Sequence, residues 1–561
     1  MWLTIENIIG TIPGSEDYYY AGFITDYWLP TKPEYYYKTI YIYDQKIVGP
    51  VDLASVGRQG LSIGSEAFNS LLNIAGGINS HAEGEENYSG GYASHAEGQL
   101  TTAYGDASHT EGYSNFAQGY AAHAEGRGNN AEGDASHAEG ITNDATGAGA
   151  HAEGCETDAL GSHAHSEGYQ TVAEGDDSHA EGCHTIASGG NSHAEGIETV
   201  AVGNAAHVEG NSNRAEGGNS HAEGYNTIAK GDCSHVEGDS NISFGASSHV
   251  EGHGNKAYTY ADHAEGNNTR AGFKGQWDSD SAAHSEGMNT HAEGKASHSE
   301  GDGTYAQGDY SHTEGICTRA LGQGASATGY YTLAAGSYSH AEGQGNCDLS
   351  TTGVNVFVKL SSFSSKITRI KESNLVNPED ITKIEEGSFI RCIPFTVLGG
   401  YEPKRYAKIT NKGRYSWGTK ERYFDISNPL VDYEDFMMLQ EQGATEVIFE
   451  LCDPPNSGAI GISAHSEGRD ALASGDYSHA EGSRTTASGD SAHAEGVETT
   501  ASGHYSHAEG YLAKATGHYS HAEGYDTTAL DYYAHAEGNF TIASKSCAHA
   551  EGYGTKASGI Y

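Results

Sequence analysis

The chain has 561 residues, 77 of them glycine, and a formal net charge of −46, whereas hydrophobic residues make up only 36%. The negative charge argues against nucleic acid as a partner, because phosphate binding requires clustered Lys and Arg, and against adsorption to an anionic membrane surface. The scarcity of aliphatic residues excludes a thick apolar core over most of the chain. The eight cysteines form no close Cys-x-x-Cys pair, so we expect no zinc ribbon, no disulfide framework, and assembly in a reducing cytoplasm.

Residues 1–70 are rich in tyrosine and precede the regular part of the chain. The alternation at Tyr41-Ile42-Tyr43 predicts short strands, because successive side chains of a strand point to opposite faces. We expect a small β region that caps the repeat after it, or alternatively a segment for attachment to another protein. The opening MWLTIENIIGTIPG lacks the features of a signal peptide, and no stretch reaches the roughly 18 apolar residues of a membrane span. We therefore expect no membrane insertion.

Residues 71–346 and 462–561 consist of one repeat. The tetrapeptide His-x-Glu-Gly returns every 14 residues from His81 to His263, resumes at His284 after a slip, and runs again from His465 to His549. The repeat has two halves, Ser-His-Ala-Glu-Gly and Thr-x-Ala-x-Gly, each followed by two variable residues. Alternating small residues predict two short strands, and Gly predicts the turns because it tolerates positive φ. Each repeat should form one flattened coil, with coils stacked in parallel about 4.8 Å apart. All ten prolines lie outside the arrays, as a central parallel sheet requires.

The two faces of a coil differ in how strictly their residues are chosen. The small alternate residues fit a narrow interior, which buries little apolar area, so a single coil stack should be marginal on its own. Outward positions of the second half vary freely, as at Ile228 and Lys230, and predict a solvent-exposed face. Outward positions of the first half are nearly always His and Glu, and this restriction indicates fixed surroundings. We therefore expect these strands of three identical chains to face one another around a three-fold axis.

The residues expected at this axis are His and Glu two positions apart in one strand. They include His81, Glu83, His95, Glu97, His137, Glu139, His179, Glu181, His207, Glu209, His221, Glu223, His479, Glu481, His507 and Glu509. One pair, His291 and Glu293, falls half a coil out of phase, and we expect it on the opposite, outer strand.

Packing and hydrogen bonding are the simplest role for this pair, since a neutral imidazole donates and accepts and a carboxylate accepts. The alternative is that axial histidines bind metal ions, because imidazole suits Zn, Ni, Cu and Fe. The candidates are His81, His95, His109, His207, His221, His479 and His493. Apart from a metal or anion on the axis we expect no cofactor, and identical dyads along a repeat do not make a catalytic site, so we expect no enzyme. The sequence is compatible with two opposite dependences of stability on pH, because neighbouring Glu side chains would raise the His pKa and burial away from water would lower it.

Residues 347–461 interrupt the repeat, and their composition differs. Thirteen of the 30 Lys and Arg residues fall here. Alternating runs such as 354–360 and 389–398 predict antiparallel strands. We expect a compact β domain that protrudes from the solenoid, because insertions in repeat proteins map to loops on one face. The aromatic residues Tyr401, Tyr406, Tyr415, Trp417 and Tyr423 are candidates for stacking on sugar rings, with core packing as the alternative.

The 14-residue pattern Ser-x-Ala-x-Gly-x-x-Ser/Thr-x-Ala-x-Gly-x-x resembles the head repeat of trimeric autotransporter adhesins over residues 75–346 and 462–561. The resemblance implies a left-handed parallel β-roll that forms a homotrimer. This chain departs from that family in carrying His and Glu where the family usually has Val and Ile facing the axis. No coiled-coil stalk or C-terminal membrane barrel is recognisable.

The variant Ser-His-Ala-Glu-Gly is similar to tail fibres and appendages of phages and prophages. This resemblance implies a self-cleaving C-terminal chaperone after the repeats, and we expect Tyr561 to be a processed terminus. The sequence thus predicts an all-β homotrimer that forms the shaft of a viral tail fibre and presents residues 347–461 for host attachment. Its partners would be copies of itself, a virion baseplate or neighbouring fibre protein, and a host-surface glycan or protein. It would lie on the virion, outside cells, after assembly in the host cytoplasm. The alternatives are a cellular extracellular filament or trimeric adhesin, and a metal-binding fibre.

Overall fold

The computed structural model describes residues 73–272, 282–346 and 455–559 throughout. It also describes the stretches 351–359, 369–376, 378–385, 388–392, 406–414, 422–426 and 446–452, and the backbone of 8–11, 18–23, 40–43 and 60–64. The predicted cap of residues 1–70 lies largely outside the described residues. Contacts divide the chain into two units, called unit 1 (Met1–Ala206) and unit 2 (His207–Tyr561).

One coil illustrates how the repeat folds. Its long strand, His95–Gln99, pairs in parallel with the equivalent strands before and after it, with His95 opposite His109. Its short strand, Thr102–Ala103, belongs to a second parallel ladder. Small inward side chains such as Ala96 are completely buried between the two ladders, because only small groups fit a coil this thin. The predicted all-β fold is confirmed as a parallel β-solenoid of about 28 turns of roughly 14 residues.

Each coil turns at two corners where the backbone has positive φ. Gly98 supplies a φ of 110°, but the corner residues Leu100 and Ala107, with φ of 62° and 57°, are not glycine. Left-handed backbone costs a non-glycine residue about 1–2 kcal/mol. Hydrogen bonds between coils offset that cost: the Leu100 N–H donates to the Glu85 carbonyl at 2.9 Å and the Ala107 N–H to the Tyr92 carbonyl at 2.7 Å. The ladder of backbone hydrogen bonds therefore continues around the corners.

The unit of residues 1–206 contains one ladder of long strands and one of short strands. The long strands are Ser80–Glu85, His95–Gln99, His109–Tyr113, His123–Arg127, His137–Ile141, His151–Cys155, His165–Tyr169, His179–Cys183 and His193–Ile197. The short strands are Ile74–Ala75, Tyr88–Ser89, Thr102–Ala103, Phe116–Ala117, Asn130–Ala131, Asp144–Ala145, Asp158–Ala159, Val172–Ala173, Ile186–Ala187 and Val200–Ala201. The backbone of Gly60–Gly64 also joins the long-strand ladder, with Gly60 opposite Ser80. Before it, Ile8–Thr11, Tyr18–Phe23 and Ile40–Tyr43 form an antiparallel sheet.

The unit of residues 207–561 repeats this arrangement. Its long strands are His207–Asn211, His221–Tyr225, His235–Val236, His249–His253, His263–Asn267, His284–Met288, His298–Asp302, His312–Ile316, Ser326–Tyr330, His340–Gln344, His465–Arg469, His479–Ser483, His493–Val497, His507–Tyr511, His521–Tyr525, His535–Asn539 and His549–Tyr553. Its short strands are Arg214–Ala215, Ile228–Ala229, Ile242–Ser243, Lys256–Ala257, Arg270–Ala271, His291–Ala292, Tyr305–Ala306, Arg319–Ala320, Leu333–Ala334, Gly458–Ala459, Leu472–Ala473, Thr486–Ala487, Thr500–Ala501, Lys514–Ala515, Thr528–Ala529, Ile542–Ala543 and Lys556–Ala557. The strand Ser326–Tyr330 pairs with its neighbours like the others but carries Ser and Thr in place of His and Glu.

An antiparallel sheet is inserted into the second unit at one corner of a coil. In spatial order its strands are Thr351–Lys359, Glu446–Cys452, Phe389–Cys392, Tyr406–Arg414, Arg422–Ile426 and Arg369–Lys371. Two 3-10 helices, Glu372–Asn374 and Pro378–Lys383, follow its second strand in the chain. Its buried side chains are larger than those of the coils and include Ile370, Leu375, Ile381, Phe424 and Phe449. The insertion has the apolar core that the solenoid lacks.

The inserted sheet packs back onto the solenoid. Phe389 and Cys452 join one apolar cluster with Leu321, Leu333 and Ile460, which lie on the outward side of short strands or beside them. Side chains at the outward positions of these coils are at most 8% exposed, and we call them the covered stripe: His291, Glu293, Tyr305, Gln307, Arg319, Leu321, Leu333, Ala335 and Ile460. The sequence predicted a domain that protrudes from the solenoid and did not predict this contact with it. Over the described residues, no helix has the length and apolarity to cross a membrane.

Candidate functional site

The outward face of the long strands carries a column of histidines and a parallel column of glutamates. In unit 1, the Nε2 atom of His81 lies 3.1 Å from Glu83 Oε2 and forms a hydrogen bond with it. The same pair of atoms is 3.6 Å apart at His137–Glu139. All eight predicted pairs have this arrangement, with Nε2–Oε2 distances of 3.1 to 3.9 Å: His81–Glu83, His95–Glu97, His137–Glu139, His179–Glu181, His207–Glu209, His221–Glu223, His479–Glu481 and His507–Glu509.

The histidine column is a stack of imidazole rings whose spacing is the coil repeat. The rings of His109 and His123 are 4.7 Å apart and 2° from parallel, and those of His479 and His493 are 4.7 Å apart and 5° from parallel. Parallel registration of the backbone produces this stack, because equivalent residues of successive coils lie directly opposite each other. The metal candidates His81, His95 and His109 belong to one such column, and His479 and His493 to another.

Most Nε2 atoms in these columns are buried although the rings are only partly so. The His137 side chain is 34% exposed, yet its Nε2 has no hydrogen-bond partner and almost no accessible surface. The same holds for His95, His109, His123, His151, His165, His179, His221, His249, His263, His284, His298, His465, His479, His493, His507, His521 and His535. A buried imidazole nitrogen without a partner costs roughly 1–3 kcal/mol. Nearly every coil therefore presents a polar atom that its own chain leaves unsatisfied.

Burial and mutual repulsion lower the pKa of these histidines. For His179 and His507, loss of hydration is the larger cause and the neighbouring imidazoles of the stack are the next, while nearby glutamates oppose the shift. The pKa values of His95, His123, His137, His221, His263, His284, His312 and His479 are lowered for the same reasons. The stack therefore favours neutral imidazole near pH 7.

The glutamate column places carboxylates one coil apart. Glu111, Glu125, Glu139 and Glu153 line a shallow groove of about 430 Å³ together with the glycines that follow them. A shared hydrogen bond with Glu139 raises the pKa of Glu125 to about 7, and burial and the neighbouring carboxylates add to the shift. The carboxylates are thus close enough to share a proton.

The out-of-phase pair lies on the other ladder. His291 is in a short strand, opposite Tyr305 of the next coil, and is only 2% exposed. Its ring stacks on Tyr305 at 4.9 Å, and the Tyr305 hydroxyl donates to Glu293 Oε1 at 2.6 Å. The sequence placed this pair on the outer, solvent-exposed strand; the pair does lie on that strand, but both side chains are buried.

The corners carry a column of hydrogen-bonded asparagines that the repeat pattern did not predict. The Asn213 side chain donates to the carbonyls of Glu209 and Gly224, both at 2.6 Å, and accepts from the Thr227 N–H at 2.8 Å. It is 1% exposed. The signal was the replacement of the usual Thr by Asn at one register position, as at 87, 115, 129 and 143. These asparagines hydrogen-bond successive coils to one another, and their amide groups are therefore already used and not available to a ligand.

The predicted receptor contacts are only partly described. Tyr401, Tyr415 and Trp417 lie outside the described residues, and Tyr406 begins the strand Tyr406–Arg414. Tyr423 is half-buried, and the Arg369 guanidinium covers its ring at 4.2 Å from the centroid. One face of Tyr423 is therefore already occupied.

Two parallel ladders of 14-residue coils define this chain as a parallel β-solenoid repeat protein. No family model matches the sequence, and no curated protein matches it.

Proposed function

We propose that the chain is the shaft of a fibre in which three copies turn their histidine and glutamate columns toward a common axis. The observation that carries the proposal is the repeated His–Glu pair of the long strands, whose side chains remain partly exposed in a single chain, as at His137–Glu139 and His479–Glu481. Facing copies would bury these surfaces against one another, and imidazole and carboxylate groups can hydrogen-bond across such a contact. That the number of copies is three follows from the resemblance to the heads of trimeric autotransporter adhesins.

The thinness of the coils also supports association. The inward side chains of the repeats that are fully buried are Ala, Ser, Thr and Asn, with few larger ones such as Val208 and Val250. Such a core removes little apolar area from water, so a single stack gains little stability from it. Contact between copies adds the buried area that the interior cannot provide.

The inserted sheet restricts which face of unit 2 can associate. Its Phe389 and Cys452 occupy the short-strand side beside Leu321 and Leu333. The long-strand face of the same coils, at His298, His312 and His340, keeps its side chains partly exposed. This contrast favours the His/Glu face as the interface between copies.

The biological setting we propose is a tail fibre or appendage of a phage or phage-like particle, without catalytic activity. The resemblance of Ser-His-Ala-Glu-Gly repeats to such fibres supports it, and so does the presence of one folded insertion on a repetitive shaft. The inserted sheet would then bind a host-surface glycan or protein, and another part of the chain a baseplate or neighbouring fibre protein. A cellular extracellular filament or trimeric adhesin is the alternative.

The insertion can be removed at a defined place. His340–Gln344 pairs directly with His465–Arg469 across it. Deletion of residues 346–456 joins Gly345 to Ser457 and leaves a coil of the regular length. Replacing Leu321, Leu333 and Ile460 by Thr, which other coils carry at outward positions, gives the uncovered stripe a polar surface.

The full chain and this deletion variant should be compared for binding to bacterial cells and to a glycan array. We expect both to assemble alike and only the full chain to bind. Equal binding by the deletion variant would contradict the role of the insertion, whereas a deletion variant that no longer assembles would contradict the role of the solenoid.

A further inference from the structure

We propose that the assembled solenoid binds divalent transition-metal ions, Zn²⁺ above all, with the His–Glu pair of one coil as one part of each site and the same pair in the two other copies as the rest. This inference rests on the proposed three-chain assembly. It assigns the repeated pair a ligand chemistry in addition to its packing role.

Within one coil the two ligand atoms already have a suitable spacing. His Nε2 and Glu Oε2 are 3.5 Å apart at His151–Glu153 and 3.4 Å apart at His521–Glu523. A tetrahedral zinc ion with bonds of 2.0–2.2 Å holds its nitrogen and oxygen ligands about 3.4 Å apart. The two atoms therefore have the spacing of a chelating pair, and the imidazole must turn to bring its Nε2, which has almost no accessible surface in the single chain, to the ion.

Successive coils of one chain cannot complete the site. Imidazoles one coil apart are stacked at 4.8 Å, as for His151 and His165. Two nitrogens on one zinc ion are at most about 4.2 Å apart, and about 3.4 Å in a tetrahedron. Groups such as His151, Glu153 and His165 lie within 4.8 Å of one another, but the backbone ladder fixes the coil spacing and holds the rings too far apart. A second imidazole on the same ion must therefore come from outside the chain.

A second and a third copy around an axis supply those ligands at the same level. In a symmetric trimer each layer brings three equivalent pairs together. In a single chain each carboxylate has an imidazole beside it and other carboxylates one coil away, as at Glu125 and Glu139. A dication between the copies would offset this negative charge.

The ligand set selects among cations. Imidazole nitrogen with carboxylate oxygen suits zinc and other transition metals, whereas Ca²⁺ and Mg²⁺ prefer oxygen ligands alone. Binding that reflected only the acidity of the surface would not distinguish Zn²⁺ from Ca²⁺. A preference of at least about 100-fold for Zn²⁺ is expected if imidazole takes part.

Two pairs of substitutions in the same coils separate the proposed ligands from other histidines. H493Q with H507Q removes two ladder imidazoles. H504N with H518N removes two corner imidazoles, one exposed and one half-buried, whose Nδ1 atoms accept backbone N–H groups, and asparagine can replace that acceptor. Each double variant loses two histidines, so only their positions differ.

The test is equilibrium dialysis of the full chain against Zn²⁺ and against Ca²⁺ after treatment with EDTA, with sedimentation analysis in parallel. We expect the wild type and H504N/H518N to retain zinc equally and H493Q/H507Q to hold two fewer ions per assembly. A trimer that binds Zn²⁺ no more tightly than Ca²⁺, or equal loss in both double variants, would overturn the inference and leave the proposed function standing. A single chain at every zinc concentration would overturn both.

Discussion

At the scale of single residues, the corner asparagines explain how a core without large apolar groups is held in register. Asn213 bonds two carbonyls and one N–H of different coils, and it is buried. Threonine occupies the same position at Thr227 and is also buried. Its hydroxyl is shorter and makes fewer of these contacts, but it leaves no cavity of comparable size.

Asn213→Ala should therefore destabilise the protein, by about 1–3 kcal/mol, because it leaves buried carbonyl and N–H groups without partners. Asn213→Thr is the matched control and should cost clearly less. The free energy of unfolding from denaturant titration measures both. An Asn213→Ala protein as stable as the wild type would show that the asparagine bonds contribute nothing.

Glycine has two different roles in the coils. Gly252 has a φ of +102°, and a Cβ placed on it would lie 2.2 Å from the Gly266 carbonyl oxygen. Gly254 has a φ of +69°, and a Cβ there would meet nothing within 4 Å. The first glycine is required by the close approach of the next coil, whereas the second is required only by backbone conformation.

We predict that Gly252→Ala lowers the free energy of unfolding by about 1–3 kcal/mol or more, because neighbouring backbone must move. Gly254→Asn, two residues away, should cost less than about 1 kcal/mol, since asparagine tolerates left-handed backbone. Thermal melts of the two variants side by side would measure the difference. A Gly252→Ala protein that melts like the wild type would contradict the packing argument.

At the scale of the elements, the imidazole stack makes stability depend on pH in a definite direction. The pKa of ten ladder histidines is lowered, chiefly by burial. Below the unfolded value near 6.5, the unfolded chain therefore binds more protons than the folded one. The contribution of the stack is full above about pH 6.5 and is lost as pH falls through the folded pKa. The raised pKa of Glu125, about 7, acts in the opposite direction but concerns one group.

The melting temperature, measured in EDTA at one protein concentration, should be lower at pH 5 than at pH 7, with little further gain at pH 9. EDTA removes bound metal as a cause, and constant concentration removes the effect of mass action on an oligomer. A flat profile, or the highest melting temperature at pH 5, would contradict burial as the dominant effect on these histidines.

The inserted sheet depends on its contact with the solenoid. Phe389 is 1% exposed and packs against Leu321, Leu333 and Ile460. Phe389→Ala should cost about 3–5 kcal/mol of insertion stability, because it removes a large buried side chain at that contact. Val376→Ala is the control, since Val376 is 45% exposed and should change stability by less than about 0.5 kcal/mol.

Calorimetry should show the F389A variant with an early transition for the insertion and an unchanged one for the coils. An unaltered calorimetric profile would mean that Phe389 does not hold the sheet in place. Loss of both transitions together would mean that the coils depend on the insertion, contrary to the independent ladders described above.

The coils could be predicted from the sequence because they arise from a pattern that repeats every 14 residues. The contacts of the insertion join residues that are distant in the chain, and no repeat marks them. Repetition of His, Ala, Glu and Gly every 14 residues predicted strands, turns and the outward face of the pair. The same repetition could not predict the burial of Leu321 and Leu333, because they pack against Phe389 and Cys452, which are distant in the chain. It also missed Gly60–Gly64, which pairs like the other long strands without the His and Glu signature, whereas Ser326–Tyr330, which also lacks that signature, lies within the predicted repeat of residues 71–346. Alternation of small residues, as in Gly60-Leu61-Ser62-Ile63-Gly64, was the signal available for the first.

At the scale of the whole molecule, the two outward faces make a solenoid suited to association. One face carries variable residues, and in part of unit 2 it is covered by the inserted sheet. The other face repeats an imidazole and a carboxylate with little variation, and these side chains are partly exposed in a single chain, as at His137–Glu139 and His479–Glu481. Copies that face one another across this stripe can bury these groups and hydrogen-bond to them.

Sedimentation equilibrium of the purified full chain, with and without EDTA and over a wide range of concentration, tests that claim most directly. We predict a folded species of three times the chain mass of 59.0 kDa, with no stable smaller form. A folded species of 59.0 kDa that persists at high concentration in both conditions would contradict it.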